Sequence, residues 1–205
     1  MFLIFDTETT GLPKDWNAPI TDLDNWPRVV QLAWQIHDSE GKLIEVQDHI
    51  IYPDGFDIPF NSTKIHGIST DRARNEGKPL SEVLSLFESS LALCEFVVGH
   101  NVNFDLNVTG CEFLRTSNQN PLALKAPLDS CTETTAGLCQ LPGGRGGHFK
   151  LPKLEELYEF LFKEGFAEAH NAAFDVEATA RVFLELLRLN VITAESIGKD
   201  SAFLL

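Results

Sequence analysis

The chain has 205 residues, of which 43% are hydrophobic and 22% charged, and its formal net charge is −14. These proportions are ordinary for a globular protein, and no apolar run approaches the roughly 20 residues needed to cross a bilayer, so we expect no membrane association. The acidic balance argues against tight binding of duplex nucleic acid, because phosphates attract lysine and arginine. We predict a single domain over residues 1–205, with its core over residues 1–190.

The cysteines and the N-terminal run bear on the compartment in which the protein works. Cys94, Cys111, Cys131 and Cys139 show no Cys-x-x-Cys spacing, which is typical of free thiols in a reducing compartment. The N-terminal apolar run is too short for a signal peptide and is followed at once by Asp6. We therefore expect a cytoplasmic protein.

The first quarter of the chain predicts three strands. Residues 2–5 form a short apolar run with aromatic and β-branched side chains, which is typical of a buried strand. Glycine and proline make residues 11–27 irregular, and residues 28–37 predict a second strand. A turn at residues 39–42 is followed by a third strand at residues 43–52, which we expect to return antiparallel.

The rest of the chain predicts helices joined to two further strands. Apolar residues three and four positions apart predict the helices, and brief apolar runs predict the strands. The predicted helices cover residues 61–66, 71–75, 81–94, a segment after Asn101, 132–139, 153–163 and 172–189, and the predicted strands cover residues 96–99 and 128–129. Ser81 is a plausible N-cap of its helix, and glycine-rich residues 141–148 are expected to be flexible. Strands first and helix–strand units later indicate an α/β fold with a mixed sheet.

Acidic residues lie at or near the ends of predicted buried elements in three separate places. Asp6 and Glu8 are two apart on the first strand and therefore face the same side. Asp105 begins the helix after Asn101, and Asp175 begins the last long helix. If these carboxylates met in one cleft they would repel each other unless cations lay between them. Oxygen ligands of this kind favour hard divalent metal ions.

The order of these motifs resembles the DnaQ-like 3′→5′ exonucleases. Asp-x-Glu near the N-terminus, Asn-x-x-Phe-Asp ending at Asp105, and His-x4-Asp from His170 to Asp175 are similar to the three motifs of that family. The histidine spacing resembles the DEDDh subgroup, and the whole pattern is most similar to the proofreading epsilon-type subunits of bacterial DNA polymerase III. The resemblance implies a ribonuclease H-like fold, with a mixed five-stranded sheet whose second strand is antiparallel and with helices on both faces.

The resemblance also implies a two-metal mechanism of phosphodiester hydrolysis. The four carboxylates would bind two Mg²⁺ ions, with Mn²⁺ as a substitute, and His170 would be the general base, since a histidine pKa near about 6.5 suits that role at neutral pH. Two bound divalent ions would offset four negative charges. We therefore expect weak, salt-sensitive substrate binding and strong dependence on metal.

Five further positions match substrate-contacting positions of the family. The resemblance implies that the backbone near Thr9 and Thr10 touches the terminal nucleotide and that Leu12 wedges against the terminal bases. It also implies that His66 lines the nucleotide pocket and that Asn101 helps to place the strand.

The favoured function is a metal-dependent 3′→5′ exonuclease that releases nucleoside 5′-monophosphates from single-stranded ends. DNA is favoured over RNA because no sequence feature reads the 2′-OH group, and a DNA polymerase subunit is a candidate partner. Two alternatives stay open: an exoribonuclease acting on short RNA or RNA 3′ ends, and a non-catalytic binding module associated with a polymerase. Two neighbouring acids are predicted to have other roles, Glu177 as a solvated residue and Asp129 as a structural one.

Overall fold

The computed structural model describes residues 1–165 and 171–192. Its strands are β1 (Phe2–Thr9), β2 (Val29–His37), β3 (Leu43–Ile50), β4 (Phe96–Gly99) and β5 (Ala126–Asp129). They form one sheet in the order β3-β2-β1-β4-β5. Strand β2 is antiparallel to both neighbours, whereas β4 is parallel to β1 and to β5. The predicted mixed sheet of the ribonuclease H-like fold, with its second strand antiparallel, is confirmed.

Helices cover both faces of this sheet. They are α1 (Phe60–His66), α2 (Thr70–Glu76), α3 (Leu80–Ala92), α4 (Val102–Ser117), α5 (Glu133–Cys139), α6 (Leu154–Phe162) and α7 (Ala172–Arg188), with 3₁₀ turns at Pro121–Leu124 and Arg145–Gly147. Because side chains alternate along a strand, Leu3 and Phe5 of β1 join one core cluster, which includes Phe87 of α3. Ile4 joins another, which includes Phe183 of α7.

Some boundaries differ from the sequence-based predictions. Strand β1 continues past Phe5 to Thr9 because its polar end keeps pairing with β2. The prediction of Ser81 as an N-cap is wrong, since α3 begins at Leu80 and Pro79 is the N-cap. The carbonyl of Pro79 already accepts backbone N–H groups of the first helical turn, so the helix starts before Ser81.

Two further expectations concern the cysteines and the membrane. All four cysteines are free thiols, two of them buried. Over the described ranges 1–165 and 171–192, no helix combines the length and the apolar character that crossing a membrane requires.

Candidate active site

Strand β1 presents two carboxylates on the sheet face that α7 covers. Asp6 lies opposite Ala33 and Glu8 lies opposite Gln31 in the antiparallel register with β2. Ile4, two residues before Asp6, packs with residues of α7, so the even-numbered positions of β1 face that helix. The predicted placement of Asp6 and Glu8 on one side of a strand is therefore confirmed.

Helix α7 brings a third carboxylate to this face. The side chain of Asn171 caps the helix by accepting the N–H of Ala173 at 3.1 Å. Buried Ala172 and Val176 fix the first turn against the sheet, and Asp175 lies within that turn. Ligand oxygens of Asp6, Glu8 and Asp175 consequently all lie within 4.8 Å of one another.

The fourth carboxylate, Asp105, is held in place by Thr7 of β1. The parallel pairing of β1 with β4 reaches Ile4 and Val98, so Thr7 lies beyond the paired part of that edge. Asp105, in the first turn of α4, accepts the Thr7 backbone N–H at 3.0 Å and the Thr7 hydroxyl at 2.6 Å. Asp105 is only 4% exposed, and the two hydrogen bonds from Thr7 orient its carboxylate.

The pKa values of these acids reflect their crowding. Burial raises the pKa of Asp6 well above its ordinary value, and the charges of Asp105, Asp175 and Glu8 raise it further. Burial likewise raises the pKa of Glu8 to about 8, with contributions from Asp175 and Asp105. Burial raises the pKa of Asp105 to about 7, although the hydrogen bonds from Thr7 oppose that shift.

This donor set fits a hard divalent cation. Neighbouring carboxylates repel each other when both are ionised, and a cation between them stabilises the ionised forms. Oxygen-only ligands suit Mg²⁺ or Mn²⁺ rather than softer metals. The four predicted metal ligands are thus brought together, three in a mutual cluster and Asp105 close enough to influence the pKa of Asp6.

A cleft of about 660 Å³ opens beside the acids. It is lined by Asp6, His100, Asn101, Phe104, Cys131, Leu151, Pro152, Lys153, Leu154, Glu155 and Asp175. Asn101 has a left-handed backbone with φ 64°, and its N–H donates to Asp129 at 2.8 Å. Asp129 also accepts the N–H groups of Val102 and Cys131, which agrees with its predicted structural role.

The remaining predicted substrate contacts occupy different environments. Burial lowers the pKa of the His66 imidazole, and the neighbouring backbone of Thr9 partly offsets this effect, so these two candidates adjoin. Thr10 is hydrogen-bonded to Arg28, the residue before β2: its N–H donates to the Arg28 carbonyl and its hydroxyl accepts the Arg28 N–H. Leu12 is 70% exposed on the following loop and is free to meet a ligand.

One predicted catalytic residue, His170, lies outside the described residues. Glu177, which was predicted to be solvated, is exposed on α7.

Sequence reasoning missed two positions that organise the site. Thr7 orients Asp105, and Gln31 accepts the N–H of Ala172 at 3.4 Å while donating to Asp48 at 2.7 Å. The 3% exposure of Gln31 is unusual for an amide, and the available signal was a polar residue between the apolar residues Val30 and Leu32 of the strand. Nothing in the sequence identified the partner of Thr7, since Asp105 is distant along the chain.

Comparison with known proteins places this chain in a family. The model of the exonuclease family named RNase_T matches residues 3–183. The chain belongs to this family. Its predicted assignment to the DnaQ-like exonucleases is confirmed, and exonucleases of this type use divalent metal ions.

Two curated relatives and one solved structure illustrate the similarity. A DNA polymerase III PolC-type protein of Lactococcus lactis subsp. lactis is 31% identical over 193 residues, covering 91% of this chain and 10% of that protein. A DNA polymerase III subunit epsilon-like protein of Rhodobacter capsulatus is 31% identical over 186 residues, covering 91% and 23% respectively. This chain therefore spans only a small part of those relatives.

The solved structure is that of E. coli exonuclease I in complex with a dT13 oligonucleotide. It matches with a TM-score of 0.71 at 25% identity, covering 91% of this chain and 40% of that one.

Proposed function

We propose that this chain is a metal-dependent 3′→5′ exonuclease that removes nucleoside 5′-monophosphates from single-stranded 3′ ends, with DNA as its preferred substrate. The observation that carries the proposal is the cluster of Asp6, Glu8 and Asp175, whose ligand oxygens lie within 4.8 Å of one another. A purely structural role would not require three acids to meet in partial burial, where each raises the ionisation cost of the others.

The acids would hold two Mg²⁺ ions, for which Mn²⁺ would substitute. Bound at this site, the ions would neutralise the negative charge that builds up on the phosphate during hydrolysis. Asp6, Glu8 and Asp175 would supply ligand oxygens from the α7 side. Asp105 would complete the set from α4, in the orientation that Thr7 imposes through two hydrogen bonds.

We assign the general base to His170. Its position five residues before Asp175 matches the His-x4-Asp motif, and a histidine can accept the proton of the attacking water near neutral pH. Replacing His170 with alanine should lower kcat by a factor of about 10² to 10⁴ while leaving metal-dependent stabilisation intact. A His170→Ala protein that kept most of its hydrolysis rate would remove His170 from this role.

The terminal nucleotide would lie in the cleft beside the acids. Asn101 lines that cleft, and the adjoining Thr9 and His66 would border the nucleotide pocket. Exposed Leu12 would pack against the terminal bases, and the backbone near Thr9 and Thr10 would contact the sugar. A pocket that accepts only a free 3′ end would give exonuclease rather than endonuclease action.

The choice of DNA draws on the relatives. One similar structure contains a dT13 oligonucleotide, and two relatives carry the name of DNA polymerase III. On this basis we propose a proofreading or repair role, with a DNA polymerase subunit as partner. The free cysteines fit action in the reducing cytoplasm.

The decisive experiment follows 5′-labelled single-stranded DNA and RNA of one sequence, with Mg²⁺, Mn²⁺ or EDTA. We expect a ladder that shortens from the 3′ end, requires metal and disappears in Asp175→Asn. Glu177→Gln is the matched control, because it removes an exposed acid two residues away on the same helix and should keep full activity.

Each other outcome points to a different function. Faster shortening of RNA would replace the DNA preference with the exoribonuclease alternative. No shortening of either strand by a folded protein would refute the enzyme proposal and favour a non-catalytic binding module.

A further inference from the structure

The stretch that borders the cleft on the α6 side has an unusual charge for this protein. Residues 134–154 are the longest run without Asp or Glu in a chain of net charge −14. That run contains Arg145, Lys150 and Lys153. A nucleic acid that approaches an acidic protein needs local positive charge. This stretch places three cations near the proposed active site, two of which contact Glu155 or Glu156 just after it.

Backbone contacts hold together the two sides of the turn at residues 141–150 of this stretch. The N–H of Lys150 donates to the Leu141 carbonyl at 3.0 Å. Gly144 lies against the backbone of residues 148–149 so closely that a Cβ atom would come within 2.2 Å of the His148 carbonyl oxygen. A side chain at position 144 would therefore collide with the backbone of this turn, so the turn requires glycine there.

Its C-terminal end is fixed to the scaffold of the active site. The Pro152 carbonyl accepts a hydrogen bond from His100 Nε2 at 2.9 Å, and the Cys131 thiol approaches the same oxygen at 3.5 Å. His100 directly precedes Asn101 and the helix that carries Asp105. The stretch and the metal-binding acids are thus held by one structural unit.

Exposure alternates along residues 149–153 of the stretch. Phe149 is 46% exposed and Leu151 is 45% exposed, and Lys153 is exposed as well, whereas Pro152 is buried and Lys150 is half-buried. Leu151, Pro152 and Lys153 all line the cleft together with Asp6 and Asp175. Exposed Phe149 lies two residues before Leu151, at the border of this lining.

The two exposed cations on this stretch are available for a ligand. Lys150 is paired with Glu156 at 2.5 Å, so it is already neutralised. The contact of Lys153 with Glu155 is longer, at 3.4 Å, and the Lys153 side chain is 67% exposed, which makes this pair weak and exchangeable. Arg145 is exposed at the tip of the turn.

We propose that residues 145–153 bind the single-stranded nucleic acid just upstream of its 3′ end, with Phe149 stacking on a base and with Arg145 and Lys153 contacting phosphates. The inference rests on the proposed function for the position of the 3′ end. The combination of an aromatic platform with flanking cations is how proteins hold single strands without reading their sequence. It also explains how a chain with so many acids retains a substrate.

The test measures binding of fluorescent oligothymidylates of about 3 and about 15 nucleotides, in Mg²⁺, to proteins that all carry Asp6→Asn to prevent hydrolysis. Phe149→Ser should raise the Kd of the long oligonucleotide about tenfold and leave that of the short one unchanged. Phe149→Tyr, which keeps a ring for stacking, should restore tight binding. Because Phe149 is exposed, none of these changes should prevent folding.

Salt dependence tests the two cations separately. Arg145→Gln combined with Lys153→Gln should lower the slope of log Kd against log salt by about 1.4, since each phosphate contact to a single strand contributes about 0.7. The matched control combines Lys42→Gln in the β2–β3 turn with Arg188→Gln at the end of α7. It removes the same charge elsewhere and should leave the slope as it is.

The results separate this inference from the proposed function. The inference would be overturned if Phe149→Ser and the parent showed the same ratio of Kd values for the long and the short oligonucleotide. It would also be overturned if the double variant kept the salt slope of the parent. Either result would count against it even if the native chain degrades DNA. Weaker binding of the long strand by the variants, with no hydrolysis by the native chain, would support the binding stretch and refute the exonuclease proposal.

Discussion

Replacing Glu8 with glutamine should make the metal-free protein more stable and at the same time remove much of its stabilisation by Mg²⁺. The native Glu8 must ionise in a buried position facing Asp175 and Asp105, and these surroundings raise its pKa to about 8. Glutamine has nearly the same shape and carries no charge, so the substitution removes the ionisation cost. It also removes one metal-binding oxyanion.

The magnitude follows from the shift in pKa. The ordinary value is 4.5 and the folded value is about 8, so the folded state binds this proton more tightly than the unfolded state does. The corresponding stability is fully present below pH 4.5 and is lost as the pH rises toward 8. At pH 7 the pH is about 2.5 units above the unfolded pKa and still below the folded one, so the free energy of unfolding has fallen by on the order of 3 kcal/mol.

Urea unfolding from pH 5 to pH 8, with EDTA or with saturating Mg²⁺, measures both effects. In EDTA, Glu8→Gln should gain stability over the native chain as the pH rises, and in Mg²⁺ the native chain should recover by binding metal. Glu177→Gln, at an exposed position, should change the free energy of unfolding by no more than about 0.5 kcal/mol, either in EDTA or in Mg²⁺. This reasoning would be refuted if the free energy of unfolding in EDTA depended on pH equally for Glu8→Gln and the native chain. It would also be refuted if Mg²⁺ stabilised the two proteins equally.

Two further predictions concern the residues that position the acids. Thr7→Val removes the hydroxyl that donates to Asp105, so we expect unfolding measurements to show a loss of about 2 kcal/mol at pH 8, where Asp105 is ionised. The loss should shrink at pH 5, and Thr7→Ser should avoid it; a loss independent of pH would indicate a packing effect instead. Gln31→Leu leaves the Ala172 N–H without its acceptor, so we expect about 1 kcal/mol lower stability and a higher Mg²⁺ concentration for half-maximal hydrolysis, because Ala172 begins the helix that carries Asp175. An unchanged Mg²⁺ requirement would limit Gln31 to a structural role.

Much of the fold was predictable because its signals are local. Helical spacing of apolar residues in 172–189 marks α7, whose last turn ends at Arg188. Order and spacing of the acidic motifs, through their resemblance to a family, predicted the antiparallel second strand. The error at Ser81 arose because a serine is a common N-cap, whereas the start of α3 was decided by the geometry of Pro79 and Leu80.

For the site, the sequence by itself predicted which acids would belong to it, and it determined that Asp6 and Glu8 share a face, since side chains alternate along any strand. Only the tertiary structure decided that Thr7 holds Asp105 and that residues 151–153 border the cleft. These contacts join residues far apart in the chain. The first contact forms because β1 extends beyond its pairing with β4, and the second because His100 hydrogen-bonds the Pro152 carbonyl. No local pattern of residues encodes either arrangement.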